Sequence, residues 1–99
     1  MGFEYKIKTN LTSRNNAEIQ MLLEKKITFE GTYEFQGQLF WNFRKNKNKG
    51  EMPNVSILFE KDGIYILQYS SSYLWTELEE LKHYLEKENI TYHIIDHQK

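Results

Sequence analysis

The residues with the most obvious chemical potential are the three histidines, two of which lie only four positions apart. On a helix, the spacing of His93 and His97 would bring both imidazoles within reach of one metal ion. The surrounding residues alternate between apolar and polar, which predicts a strand, and along a strand these two histidines are roughly 13 Å apart. Chelation would then need a further ligand, such as His83. We therefore expect solvated histidines, no metal site and no cofactor.

The acidic and hydroxyl residues match no complete catalytic pattern. Metal-dependent phosphodiester cleavage uses an acidic residue together with an acidic-x-Lys pair on adjacent strands. Glu60 and Lys61 are directly adjacent, so on a strand they would point to opposite faces, and Asp62 falls in a predicted turn. The serines at 70–72 lack the flanking glycines of a nucleophile elbow, and there is no phosphate-binding glycine loop. The sequence therefore favours a non-catalytic protein, with no catalytic residue assigned.

A cluster of basic residues lies between two predicted strands. It consists of Arg44, Lys45, Lys47 and Lys49. Basic side chains neutralise phosphates, and an exposed aromatic ring such as Phe40 can stack on an unpaired base. A nucleic-acid-associated domain is therefore one candidate function. The interleaved asparagines are equally typical of a solvated loop, and the adjacent Trp41 is expected in the core.

Residues that point away from the predicted core of the sheet form a second candidate site. They are Phe40, Leu58, Tyr65, Leu67 and Tyr69. If no helix covers this face, they make an aromatic-rich apolar patch, and such patches on small domains mark self-association or a protein partner. Burial of the same residues in a two-sided core is the alternative interpretation.

The second predicted helix carries an excess of acidic residues, among them Glu77 and Glu80. Such a run is typical of the solvated face of a helix. It is also suited to docking a basic partner, where charge steers the encounter more than it supplies affinity. An inhibitor or immunity-type protein that blocks a basic toxin or nuclease is one concrete version of this hypothesis.

The composition limits the classes of protein to which these sites can belong. The chain has 99 residues, a formal net charge of −1 and 39% hydrophobic residues, which favour one folded domain, 1–99, and exclude a globally basic nucleic-acid binder. It contains no cysteine, which excludes disulfides and thiolate zinc sites. No apolar run approaches the roughly 18 residues of a membrane span. We expect a cytoplasmic, bacterial or phage protein that does not contact membranes.

The hydrophobic periodicity predicts the elements that position these residues. Alternation indicates strands near 3–8, 27–36, 38–44, 55–59, 64–70 and 90–94, and helical spacing indicates helices near 17–26 and 77–88. The predicted class is α+β in the order β-α-β-β-β-β-α-β. Its expected architecture is a mixed, mainly antiparallel sheet with two helices packed on one face.

One strand is predicted with particular clarity, because apolar and polar residues alternate strictly along it. The apolar set is Ile27, Phe29, Gly31, Tyr33 and Phe35. This pattern predicts that all five residues share one face and that the polar residues between them see water. Gln36-Gly37 and Asp62-Gly63 predict hairpin turns after this strand and after the strand near 55–59.

No motif is specific enough to indicate a family. The sequence favours a non-catalytic interaction domain that acts through its sheet face and its acidic second helix, on a protein partner or as a homodimer. The nucleic-acid-associated domain remains the alternative.

Overall fold

A computed structural model describes residues 3–44, 53–69 and 78–96 of the chain. The elements, in chain order, are β1 (Phe3–Thr9), α1 (Ser13–Glu24), β2 (Phe29–Phe35), β3 (Gln38–Phe43), β4 (Val55–Glu60), β5 (Gly63–Gln68), α2 (Leu78–Lys87) and β6 (Tyr92–Asp96). The predicted α+β class and element order are confirmed.

The six strands form one sheet in the order β2-β3-β4-β5-β1-β6, and each neighbouring pair is antiparallel. Strands β2 to β5 follow one another as a meander, whereas β1 inserts between β5 and β6. Because antiparallel steps alternate direction, β1 and β2 run the same way, and so do β5 and β6. Each helix therefore connects two strands of equal direction.

The first helix begins at a capping box. Thr12 accepts a hydrogen bond from the backbone N–H of Asn15, and the Asn15 side chain accepts one in return from the Thr12 backbone. Thr12 is therefore the N-cap residue of α1. The second helix is followed by Asn89 with a positive φ of 58°, the left-handed geometry expected after a helix C-terminus.

Both helices pack on the same face of the sheet and close a single core. Helix α1 contributes Ile19 and Leu23, and α2 contributes Leu81 and Leu85, each pair four residues apart on one side of its helix. The buried sheet residues beneath them are Tyr5, Ile7, Trp41, Phe43, Val55, Ile57, Ile64 and Ile66. We call this side of the sheet the helix face and the other side the open face.

The predicted alternation from Ile27 to Phe35 is wrong on both sides of Phe29, because Ile27 lies exposed in the turn before β2 and the strand then contains a bulge. The pairing of β2 with β3 shifts register between Phe29 and Gly31, and Gly31 has a φ of +141° that other residues rarely adopt. An extra residue in one strand reverses the alternation that follows it. Phe29 therefore packs on the helix face, whereas Tyr33 and Phe35 lie on the open face.

The hairpin between β4 and β5 has the predicted Asp62-Gly63 turn, and its glycine is required by packing as well. Gly63 has a φ of +151°, and a Cβ atom placed there would lie 2.1 Å from the carbonyl oxygen of Ile7. This close approach is made by the adjacent strand β1, which pairs Lys8 with Gly63. Only glycine allows the two backbones to meet at this distance.

Candidate binding groove on the open face of the sheet

Residues that pair directly across the strands form a continuous row on the open face. Tyr33 lies opposite Phe40, Phe40 opposite Leu58, and Leu58 opposite Tyr65. Directly opposed residues in antiparallel strands point to the same face, so this row crosses four strands. Both described helices lie on the other side of the sheet.

Part of this face is concave. A groove of about 660 Å³ opens between the β2–β3 side and the end of β5. Its lining residues, which we call the aromatic groove, are Tyr33, Phe35, Phe40, Asn42, Pro53, Ser56, Leu67 and Tyr69. None of these side chains carries a charge at neutral pH, and half of them are aromatic. Ligand sites in proteins commonly combine apolar and aromatic walls with a few polar groups.

The outer wall of the aromatic groove is a pair of stacked rings. Tyr33 and Phe35 are two residues apart on β2, with ring centroids 6.3 Å apart and planes inclined by 15°. The two side chains are 55% and 50% exposed. Each therefore offers a substantial apolar surface to a ligand while being held by its neighbour in a fixed orientation.

A polar pair lies among these apolar residues. Asn42 of β3 and Ser56 of β4 are directly opposed, and the Ser56 hydroxyl donates to Asn42 Oδ1 at 2.6 Å. Ser56 is only 2% exposed, so its hydroxyl is satisfied by this bond. The amide nitrogen Nδ2 is then the remaining donor of the Asn42 side chain. The groove thus combines an aromatic wall with one directional hydrogen-bonding group.

The neighbouring part of the open face is charged and internally paired. Lys6 Nζ lies 2.9 Å from Glu60 Oε1 and 2.5 Å from Asp62 Oδ1. Hydrogen bonds to Asp62 and Glu60 raise the pKa of Lys6, and the bond to Lys6 lowers the pKa of Asp62. These charges satisfy one another, which suits a structural role better than a catalytic one.

Tyr65 connects the charged region to the aromatic row. Its hydroxyl donates to Glu4 Oε1 at 2.5 Å. Desolvation, followed by this hydrogen bond to a carboxylate, raises the pKa of Tyr65 to about 12. A phenol held so firmly in its protonated form is not suited to act as a base near neutral pH.

The five residues predicted for an outward patch do share the open face, but their situations differ. Phe40, Leu67 and Tyr69 line the aromatic groove. Leu58 is 6% exposed and is thus buried in this face, and Tyr65 is bonded to Glu4 outside the groove. Burial on both sides, the alternative interpretation, therefore applies to Leu58 alone among these five.

Sequence reasoning missed the residues that make this patch a groove. Tyr33 and Phe35 were assigned to the opposite face because the bulge at Gly31 was not anticipated. An isolated glycine within a strand pattern is a signal for a bulge, and Gly31 gave that signal. The pairing of Asn42 with Ser56 depends on the register between β3 and β4, for which the sequence holds no comparable signal.

The acidic second helix lies apart from the groove. Glu80 forms an ion pair with Lys26 and lines a separate depression of about 620 Å³ between the two helices, next to His83. Because α2 packs on the helix face, the sheet separates Glu80 from the aromatic groove. Glu77, the other acidic candidate, lies outside the described residues. The two predicted partner surfaces are therefore not one surface.

The nucleic-acid candidates are only partly described. Arg44 follows β3, and its Nε lies 2.7 Å from Glu30 Oε2, so this guanidinium is paired with a carboxylate. Phe40 is a groove residue. Lys45, Lys47 and Lys49 lie outside the described residues.

The described residues contain neither a cluster of metal ligands nor a membrane-spanning helix. Within 3–44, 53–69 and 78–96, no group of three or more potential metal ligands occurs. His93 is exposed on β6, and His97 lies beyond the described part of the chain. No helix in the described ranges has the length and apolar character needed to cross a bilayer.

In comparisons with protein-family models, with curated proteins and with solved structures, nothing matched this chain.

Proposed function

We propose that this chain is a non-catalytic interaction domain that binds a protein partner through the aromatic groove. The observation that carries the proposal is an uncharged, half-aromatic lining on a sheet face that neither described helix covers. Aromatic residues are enriched where proteins bind one another, and charged residues are depleted at the centre of such contacts.

The partner chemistry that fits the groove is an extended polypeptide segment with a large apolar or aromatic side chain. Tyr33 and Phe35 supply a half-exposed stacked wall on which such a side chain can rest. The Asn42 amide can donate to a backbone carbonyl, as Ser56 already occupies its oxygen. A peptide offers both groups at once, whereas a purely apolar ligand would leave the Asn42 donor desolvated without a partner.

A nucleic-acid partner fits this lining less well. Most of the affinity of proteins for nucleic acids comes from contacts between basic side chains and phosphates. Among the described residues, the groove lining contains no basic side chain, and Arg44 is paired with Glu30. A base stacked on Tyr33 or Phe40 would therefore gain no contact between its phosphate and a basic side chain among the described lining residues.

Two further parts of the proposal concern the acidic helix and the cellular compartment. If Glu80 docks a basic partner, it does so at a surface separate from the aromatic groove, because α2, which carries Glu80, packs on the helix face. The cytoplasm is our proposed site of action, in keeping with a chain that has no cysteine.

The proposal is tested by selecting binders from a displayed library of random peptides and mapping each binder by amide chemical-shift changes. We expect selected peptides to be rich in apolar and aromatic residues and to shift the resonances of Tyr33, Phe40 and Leu67. Phe35→Asp should weaken binding at least tenfold, because it charges the exposed wall. The matched control is Leu39→Asp on the adjacent strand, which is 43% exposed but lies on the other face, and it should bind normally.

Three results would contradict this proposal. Peptides whose contacts map to the helices, or equal losses from both variants, would remove the groove from the function. Salt-sensitive binding of a single-stranded oligonucleotide, with shifts centred on Phe40 and Arg44, would support the nucleic-acid alternative instead. Association of the unmodified chain that is lost in Phe35→Asp would make a second copy the occupant of the groove.

A further inference from the structure

The two edge strands of the sheet differ in how well they are protected against pairing with another strand. Natural edge strands are commonly blunted by bulges, prolines or charged residues, especially lysine. Strand β2 has a bulge at Gly31 and carries Glu30 and Glu34. Strand β6 contains neither proline nor lysine and pairs with β1 over five consecutive residues without a shift in register.

Strand β6 also exposes apolar surface on both of its faces. Ile94 is 42% exposed and Ile95 is 38% exposed. Ile94 lies opposite Ile7 and so belongs to the helix face, whereas Ile95 lies opposite Lys6 on the open face. A further strand beside β6 would cover both isoleucines at once.

The direction of the backbone groups can be deduced from β1. The Thr9 N–H donates to the Asp62 carbonyl at 3.0 Å, so Thr9 directs its backbone groups towards the β5 side. Successive residues of a strand direct their N–H and C=O groups to opposite sides, so Lys8 and Lys6 face β6 and bond to His93 and Ile95. The N–H and C=O of Ile94 therefore point outward, away from the sheet.

We propose that a second copy of this chain pairs with β6, antiparallel and centred on Ile94, so that the two sheets become continuous. The outward N–H and C=O of Ile94 would then bond to the same groups of Ile94 in the other copy. The two copies are then related by a two-fold axis perpendicular to the sheet, so that the helix face of one copy continues into the helix face of the other.

This arrangement favours a second copy over an unrelated strand because β6 is complementary to itself. Centring the axis on the middle residue lets all five residues of β6 pair. Ile94 meets Ile94 on the helix face, and on the open face Ile95 meets His93, so neither apolar side chain is opposed by a charged residue. A two-fold contact of this kind closes on itself and does not continue into a fibre.

Sedimentation equilibrium over a wide concentration range tests the proposal. The unmodified chain should show a reversible monomer–dimer equilibrium, of modest affinity because two short strand edges bury little area. Ile94→Lys should raise the dissociation constant at least tenfold, since it places like charges opposite each other at the axis. Met21→Lys is the control: Met21 is 56% exposed on α1, away from β6, and this change should leave the equilibrium as it was.

A mixing experiment separates loss of the interface from loss of the fold. Ile94→Lys and Ile94→Glu should each be monomeric alone, and an equimolar mixture should form heterodimers through opposite charges at the axis. A monomeric unmodified chain at all concentrations, or a dimer unaffected by Ile94→Lys, would overturn the proposal. So would a dimer that is lost in Phe35→Asp and kept in Ile94→Lys, because it would be formed through the groove.

Discussion

Ile66 and Leu67 are consecutive residues of β5, and they belong to opposite faces of the sheet. Ile66 is fully buried beneath the helices, whereas Leu67 lines the aromatic groove. The helix face holds aliphatic and aromatic residues that are buried beneath the helices. The open face holds a groove whose described lining is uncharged and includes the half-exposed rings of Tyr33 and Phe35. One face thus forms the core, and the other carries the surface that we propose as a binding site.

The largest expected effect concerns the close backbone contact between Gly63 of β5 and Ile7 of β1. Gly63→Ala should cost about 4 kcal/mol or more, or abolish folding, because its Cβ would lie 2.1 Å from the Ile7 carbonyl oxygen at a φ of +151°. Gly31→Ala in the bulge has a comparable φ but no atom within 4 Å, and backbone strain alone should cost about 2 kcal/mol. Urea unfolding of both variants measures the difference. Equal losses would show that strain, and not the approach of β1, makes Gly63 necessary.

The next effect compares the two faces directly. Ile66→Ala should reduce the free energy of unfolding by about 3 kcal/mol, since it leaves a cavity in a fully buried site. Leu67→Ala should cost about 1 kcal/mol, because Leu67 is only partly buried. Denaturant titration of the two variants gives both values. If Leu67→Ala were the more damaging change, the open face would be a second core and not a binding surface.

The smallest effect is a dependence of stability on alkaline pH. The pKa of Tyr65 is raised from 10.0 to about 12 in the folded chain, so the folded state holds this proton more tightly than the unfolded state. Its stabilisation is fully present below pH 10 and is lost as the pH rises through 12. Because solvent screens this partly exposed group, we expect its contribution to the free energy of unfolding to be less than about 1 kcal/mol.

The measurement for Tyr65 is the free energy of unfolding between pH 9 and the alkaline limit, with Tyr65→Phe as the comparison variant. The difference between the two proteins should shrink over this range. A difference that stays constant with pH would mean that the bond to Glu4 is not formed in solution.

Much of the fold could be predicted from hydrophobic periodicity, whereas the aromatic groove could be predicted only in part. Alternation and helical spacing are local properties, so they predicted the element order. They also placed Phe40 and Leu67 on one outward face. The partners of these residues depend on strand register and on which strands become neighbours, which are properties of the assembled sheet.

The bulge at Gly31 shows most clearly what local sequence patterns do not predict. The pattern from Phe29 to Phe35 reads as uninterrupted alternation, and only the pairing with β3 reveals that one residue is added. The ion pair between Lys26 and Glu80 is another case, because it joins two segments that the sequence keeps far apart. Apart from the isolated glycine at position 31, local patterns carry little information about either feature.

The same bulge has an evolutionary consequence. Since the pairing of Gly31 to Phe35 with β3 follows the extra residue, the deletion of one codon at Glu30 or Gly31 would leave a regular strand with Phe29 on the helix face and Tyr33 and Phe35 still on the open face. The strand would keep its place in the sheet, and the groove would keep its wall. Among related chains that retain the fold and the proposed binding surface, this point of β2 is therefore where a length difference of one residue is expected.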